Sequence, residues 1–199
     1  MLNYTKIMSK MAKKLNILHQ SGQTVFSTNE LMLHWSIENK KILYTQISRA
    51  KEQGFLRTIQ RGLYALDGLE VDRLELAGNL KKKSYISFET VLAKNGLINQ
   101  WYGSYFLASD READIENEYG KFNYRKLSEK ILNNRLGIID SGHYFTAGTE
   151  RAICDYFYKV GFQQLDDLEE IDQNKLIEIS KIYHNKRLEK DILKLTKLL

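Results

Sequence analysis

The sequence predicts an α+β protein, and three observations predict it. Residues 27–66, STNELMLHWSIENKKILYTQISRAKEQGFLRTIQRGLYAL, run as helix, turn, helix and two-stranded hairpin. Positive charge is gathered in the same part of the chain. Residues 1–66 hold ten Lys or Arg against three Asp or Glu, a net +7, whereas 67–199 hold twenty against twenty-two, a net −2. Beyond residue 84, short β-favouring runs are interspersed with helical patterns. The expected organisation is a winged helix-turn-helix over 1–66, a linker helix and basic loop over 67–84, and a mixed α/β domain over 85–199 that ends in helices.

The first helix spans 4–20. Tyr4, Ile7, Met8, Met11, Leu15 and Leu18 recur at helical spacing, with Lys6, Lys10, Lys13 and Lys14 along the flank. Ser21-Gly22 stops it, and Val25-Phe26 supplies a short strand to pair with the hairpin. Thr28 is the expected cap of the second helix, in which Leu31 and Trp35 share a face. Asn39 caps the third, which runs to Gly54. Its Leu43, Ile47 and Ala50 sit four and three residues apart and so point one way. Phe55 to Ile59 and Leu63 to Leu66 are the hairpin strands, with Gln60-Arg61-Gly62 as the turn.

Asp67-Gly68 marks a turn, and 71–80 a connecting helix with Leu74, Ala77 and Leu80 inward, ahead of an exposed Lys81-Lys82-Lys83 loop. In the second domain Ser87, Glu89 and Thr90 open a helix that buries Val91 and Leu92 and ends at Asn95-Gly96. Strands are expected over 102–109, 120–124, 136–140 and 143–146. A loop is expected over 110–117 and a short helix or turn over 126–132. Thr149 caps a helix to Val160, with Ile153, Phe157 and Val160 on one face. Helical segments follow near 165–171, 173–184 and 186–199.

The chemistry of the first domain follows from its faces. The major groove of B-DNA admits one α-helix, whose apolar side must stay on its own core. The polar side of the third helix then meets the bases, which makes Tyr44, Thr45, Ser48 and Arg49 the candidate base contacts. Lys40 and Lys41, with Arg57 and Arg61 of the hairpin, are the candidates for phosphate or groove edge. Double-stranded DNA is the expected partner.

Other chemistries find less support. No apolar run nears the roughly 18 residues that span a bilayer, and the lysine-broken N-terminus lacks the apolar stretch of a secretory signal. Cys154 is the single cysteine, so neither an internal disulfide nor a cysteine-rich zinc site is available, and a cytoplasmic setting is expected. His19, His34, His143 and His184 lack metal-ligand spacing, and no glycine-rich phosphate loop occurs, so no cofactor or metal is expected. Gly103-Ser104 followed by Asp114-Ile115-Glu116 superficially matches a metal-dependent nucleotidyltransferase signature. Residues 105–109 are strand-like where that signature starts a helix, and catalysis is not expected. Glu150, Arg151 and Asp155 fall at helical spacing as a small polar group serving the helix start and an internal salt bridge.

Three stretches resemble the AbiEi family of antitoxins, winged-helix regulators of bacterial abortive-infection toxin–antitoxin operons. They are Gly54-Phe55-Leu56 with 61–66 (RGLYAL), 84–92 (SYISFETVL) with Gly96-Leu97, and Ala147 with 149–155 (TERAICD). Phe88 stands where the family has a smaller aliphatic residue, and Gly148 where it often has another residue. The resemblance implies a repressor that binds inverted repeats in its own promoter. It also implies a second domain that counteracts a nucleotidyltransferase-like toxin, for which a stable complex is not required. A nucleotidyltransferase or nuclease using Asp114 and Glu116, or a stand-alone regulator, is the alternative.

Overall fold

A computed structural model of the chain describes residues 2–99 and 103–198, with side chains from residue 10 onward. The expected contributions of Tyr4, Lys6, Ile7 and Met8 to the first helix, and of Tyr102 to a strand, lie outside what is described. The chain is mixed α/β and divides into two compact units, Met1–Asn79 and Leu80–Leu199.

The first unit runs α1 (Leu2–Gln20), β1 (Phe26–Ser27), α2 (Thr28–His34), α3 (Lys40–Glu52), β2 (Leu56–Gln60), β3 (Leu63–Leu66) and α4 (Arg73–Leu80). The strands form an antiparallel sheet in the order β1-β3-β2, with Phe26 opposite Tyr64 and Leu56 opposite Leu66. Leu18, Phe26, Leu31, Trp35, Leu43 and Ile47 lie in one core, which α1 closes with Met11. Side chains of this size contribute about 1.5–3 kcal/mol each when fully withdrawn from water.

Ser27, not Thr28, caps α2. Its hydroxyl accepts from the Glu30 N–H (3.3 Å), and the Glu30 carboxylate accepts from the Ser27 N–H (2.7 Å). This reciprocal pair satisfies two donors that the helix start leaves open. Thr28 instead donates through its N–H (3.0 Å) and hydroxyl (3.3 Å) to the Gly62 carbonyl, tying the hairpin turn to the start of α2. Gly62 holds φ +83°, and Gly54, after α3, holds φ +71°, a region that L side chains rarely adopt. Asn39 caps α3 as expected, accepting from Lys41 N–H (2.9 Å) and Ile42 N–H (3.3 Å).

In α4 the buried positions are Glu75, Leu76 and Ala77, while Leu74 and Leu80 remain half-buried. Ala77 faces inward as expected, but Glu75 and Leu76 take the places expected of Leu74 and Leu80, because Glu75 has partners inside. Its carboxylate accepts from the Thr24 N–H (2.8 Å), the Thr24 hydroxyl (2.6 Å) and the Val25 N–H (3.2 Å).

The second unit is built on a six-stranded mixed sheet in the order β6-β7-β5-β4-β9-β8. Its strands are β4 (Ser84–Ile86), β5 (Ser104–Ser109), β6 (Ala113–Asn117), β7 (Gly120–Lys126), β8 (Ile138–Asp140) and β9 (Phe145–Ala147). The pairs β4–β9 and β5–β7 are parallel and the rest antiparallel. Helices α5 (Phe88–Lys94), α6 (Glu129–Asn133), α7 (Thr149–Val160), α8 (Gln173–Ser180) and α9 (Lys186–Leu195) complete the unit, with a 3₁₀ turn over Lys181–Tyr183.

Four expectations need correction here. The acidic stretch taken as loop is strand β6, in which Ala113, Ile115 and Asn117 are half-buried while Asp114 and Glu116 stay exposed. This two-residue alternation lets acids occupy an edge strand. Residues 165–171 form no helix. Asp166 donates to the Leu97 carbonyl there (2.9 Å), and Asp167 takes φ +42°. Gly148, not Thr149, is the cap of α7, and the Thr149 hydroxyl accepts from Asn95 (3.0 Å). Val160 is exposed: the last turn of α7 buries Phe157, and Val160 closes the helix on its outer side just before Gly161 (φ +92°).

Candidate nucleic-acid interface

Helix α3 divides cleanly along its length. Leu43, Ile47 and Ala50 are buried, and Lys40, Lys41, Tyr44, Thr45, Ser48 and Arg49 are all exposed. The six positions chosen from spacing therefore share the solvent side of one helix. Arg61 is exposed at the tip of the β2–β3 turn. Tyr64 links that hairpin to the helices: its phenol is pushed up by burial, the neighbouring Tyr44 adds to the shift, and a hydrogen bond with Thr28 opposes it.

The side chains on this face are not equally available. The Thr45 hydroxyl donates to the Lys41 carbonyl (2.9 Å), a bond within the helix. The Ser48 hydroxyl donates to the Glu52 carboxylate (2.9 Å). Arg57 is half-buried and donates to the Leu69 carbonyl (2.9 Å), so part of its guanidinium is engaged inside the unit. On α1, Lys14 lies 5.1 Å over the Trp35 ring and donates to Gln46 (3.4 Å). Burial, with the nearby Lys10, lowers its pKa.

Two residues on this side escaped the sequence reading. Glu52 places a carboxylate beside Ser48, and Ile42 leaves an aliphatic side chain 53% exposed in the first turn. Both were accessible to spacing alone: residues 48 and 52 stand one turn apart, and residues 42, 45 and 49 fall on one strip. Over the whole unit Met1–Asn79 the charge excess is smaller than over 1–66. Eleven Lys or Arg face seven Asp or Glu there, a net +4, because Asp67, Glu70, Asp72 and Glu75 follow the hairpin.

The polar group noted on α7 is a closed internal network. Arg151 and Asp155 are both fully buried and pair at 3.5 Å. Asp155 accepts from the Tyr85 hydroxyl (2.9 Å), the Ser87 hydroxyl (2.7 Å) and the Tyr183 hydroxyl (2.5 Å). Arg151 donates to Tyr85 (3.0 Å) and to the carbonyls of Ile131 (2.8 Å) and Leu136 (2.9 Å), which places its charge against the end of α6. Burial pushes the Tyr85 and Tyr183 hydroxyls well above their ordinary value, and the Asp155 charge adds to both shifts. They therefore stay protonated as donors. Burial likewise raises the Cys154 thiol far above its usual value, which leaves it a poor nucleophile. Glu150, nearby, pairs with Lys175 at 2.8 Å.

Asp114 and Glu116 emerge from the exposed edge strand. Asp114 accepts from Asn123, and Glu116 pairs with Lys121 at 3.1 Å. Among the described residues, no group of three or more His, Cys, Asp or Glu is placed to hold a metal ion, and no helix is long and apolar enough to cross a membrane. Compared with known proteins, the chain matches no family model and no characterised relative.

Proposed function

We propose that the chain is a sequence-specific DNA-binding repressor whose first unit is a winged helix-turn-helix with α3 as the recognition helix. The observation that carries the reading is the α3 surface. It is capped at Asn39, holds an apolar face inward, and presents Lys40, Lys41, Tyr44, Thr45, Ser48 and Arg49 to solvent. Two further features support it: the strand order β1-β3-β2, and the turn that carries Arg61 anchored at the start of α2. A helix of this kind fits the major groove, while a basic hairpin tip meets phosphate or the minor groove.

The regulator acts as the antitoxin of an abortive-infection operon in the cytoplasm and counteracts a nucleotidyltransferase-like toxin. What supports this part is the resemblance of 84–97 and 147–155 to AbiEi antitoxins. Two experiments test the whole reading. Footprinting of the full-length protein on its own promoter is expected to protect inverted repeats, and unprotected DNA would refute the repressor. Co-expression with the product of the adjacent reading frame is expected to relieve growth arrest. Growth arrest that persists with the repressor present would refute the antitoxin.

A further inference from the structure

We propose that Ile42 reads the C5-methyl group of a thymine in the operator. The inference rests on the DNA-binding reading and names a base that the recognition face selects. Ile42 is the third residue of α3 and remains 53% exposed although it is aliphatic. Its neighbours along the same strip are Thr45, three residues on, and Arg49, seven on, both exposed, with the exposed Lys41 beside it. On α3 the exposed large hydrophobics are Ile42 and Tyr44. Ile42 stands beside Lys41, Thr45 and Arg49, and two such side chains among cations suit a polyanion better than a protein partner. The major groove offers one apolar feature on its base edges, the methyl of thymine. A β-branched side chain in a helix keeps one preferred χ1 rotamer, so Ile42 meets that methyl with little loss of freedom. Asn39 accepts from the Ile42 N–H at 3.3 Å, which holds the turn that carries it.

The same strip orders the contacts. With Arg49 two turns further along, the thymine stands apart from any guanine bound by the arginine, on the side toward the N-terminus of α3. The Ile42 side chain lies outside the core, so shortening it leaves the first unit intact.

The test uses the full chain and a selection from random duplex DNA, followed by binding measurements on the best duplex. Each thymine is replaced in turn by deoxyuridine, which removes the methyl and nothing else. Wild type is expected to weaken about fourfold at one thymine of each half-site, the factor that burial of one methyl-sized group supplies. Ile42→Ala is expected to bind the thymine and deoxyuridine forms of that position alike. The proposal is overturned if wild type tolerates deoxyuridine at every position, or if Ile42→Ala keeps the same sensitivity. Failure to enrich any duplex would remove the DNA-binding reading itself, a result distinct from both.

Discussion

At the scale of single residues, contacts on the α3 face divide, on the proposed DNA-binding reading, into those that would specify and those that would only attract. Arg49 is exposed and carries a fork of donors that fits guanine, so Arg49→Ala is expected to weaken the preferred duplex by about 1–3 kcal/mol, more than it weakens random DNA. Lys41→Ala is expected to weaken all duplexes alike and to lower the salt slope by about one unit. Titration of both variants against specific and unrelated duplexes checks the pair. On the proposed reading Glu52 would repel phosphate at this face, and its bond from Ser48 holds the carboxylate in place. In the second unit the buried Arg151–Asp155 pair makes a different prediction. Removing Asp155 strands a guanidinium without solvent, and Asp155→Ala is expected to cost about 3–5 kcal/mol in denaturant unfolding. Replacing both partners with apolar residues is expected to recover part of that loss, since no charge is then left unpaired. The pH dependence follows from the hydroxyls around the same pair. Tyr85 and Tyr183 are held above the ordinary tyrosine value of 10.0 when folded, so only the unfolded chain releases their protons as that pH is passed. Their stabilising contribution is complete below it and declines above it. Thermal unfolding across that range is expected to fall less steeply for Tyr85→Phe than for wild type.

At the scale of elements, local chemistry explains what the sequence disclosed and what it concealed. The α2-turn-α3-hairpin order was legible because caps, helical spacing and turn glycines lie within a few residues of one another. Even so, Thr28 stood in for Ser27, since both are good caps and only the return bond from Glu30 decides between them. Ser27→Ala is therefore expected to lower stability by about 1 kcal/mol, and Thr28→Val to leave the helix cap intact while loosening the hairpin turn. Strand β6 was hidden because its acids suggested a loop. The signal lay in the alternation of Ala113, Ile115 and Asn117 with Asp114 and Glu116, supported by the Glu116–Lys121 pair across to β7. The connection near 165–171 departs from expectation in the opposite sense. A helical segment is expected there, whereas the Asp166 N–H bonds to the Leu97 carbonyl and the backbone turns through Asp167. The α7 network was visible only as three polar residues at helical spacing. Its partners Tyr85 and Ser87 stand 70 and 68 residues away in sequence, beyond the reach of any local rule.

At the scale of the whole molecule, charge is distributed by segment: +7 over 1–66 against −2 over the rest. The proposed partner is a polyanion, and its attraction must then be carried mainly by Lys40, Lys41, Arg61 and their neighbours, with Arg57 partly engaged by Leu69. Each phosphate held by such a cation contributes about −0.9 to the slope of log affinity against log salt. The central claim is that the solvent face of α3 and the β2–β3 turn enter one duplex together. It is tested most directly by the affinity of the full chain for its own promoter and for an unrelated duplex of equal length, over a range of salt, with Arg49→Ala and Arg61→Ala beside wild type. The account predicts that wild type prefers its promoter and that Arg49→Ala loses most of that preference. It predicts that Arg61→Ala keeps the preference but binds both duplexes more weakly, with a shallower salt slope. Equal binding of the two duplexes by wild type, or a preference that survives Arg49→Ala undiminished, would contradict it.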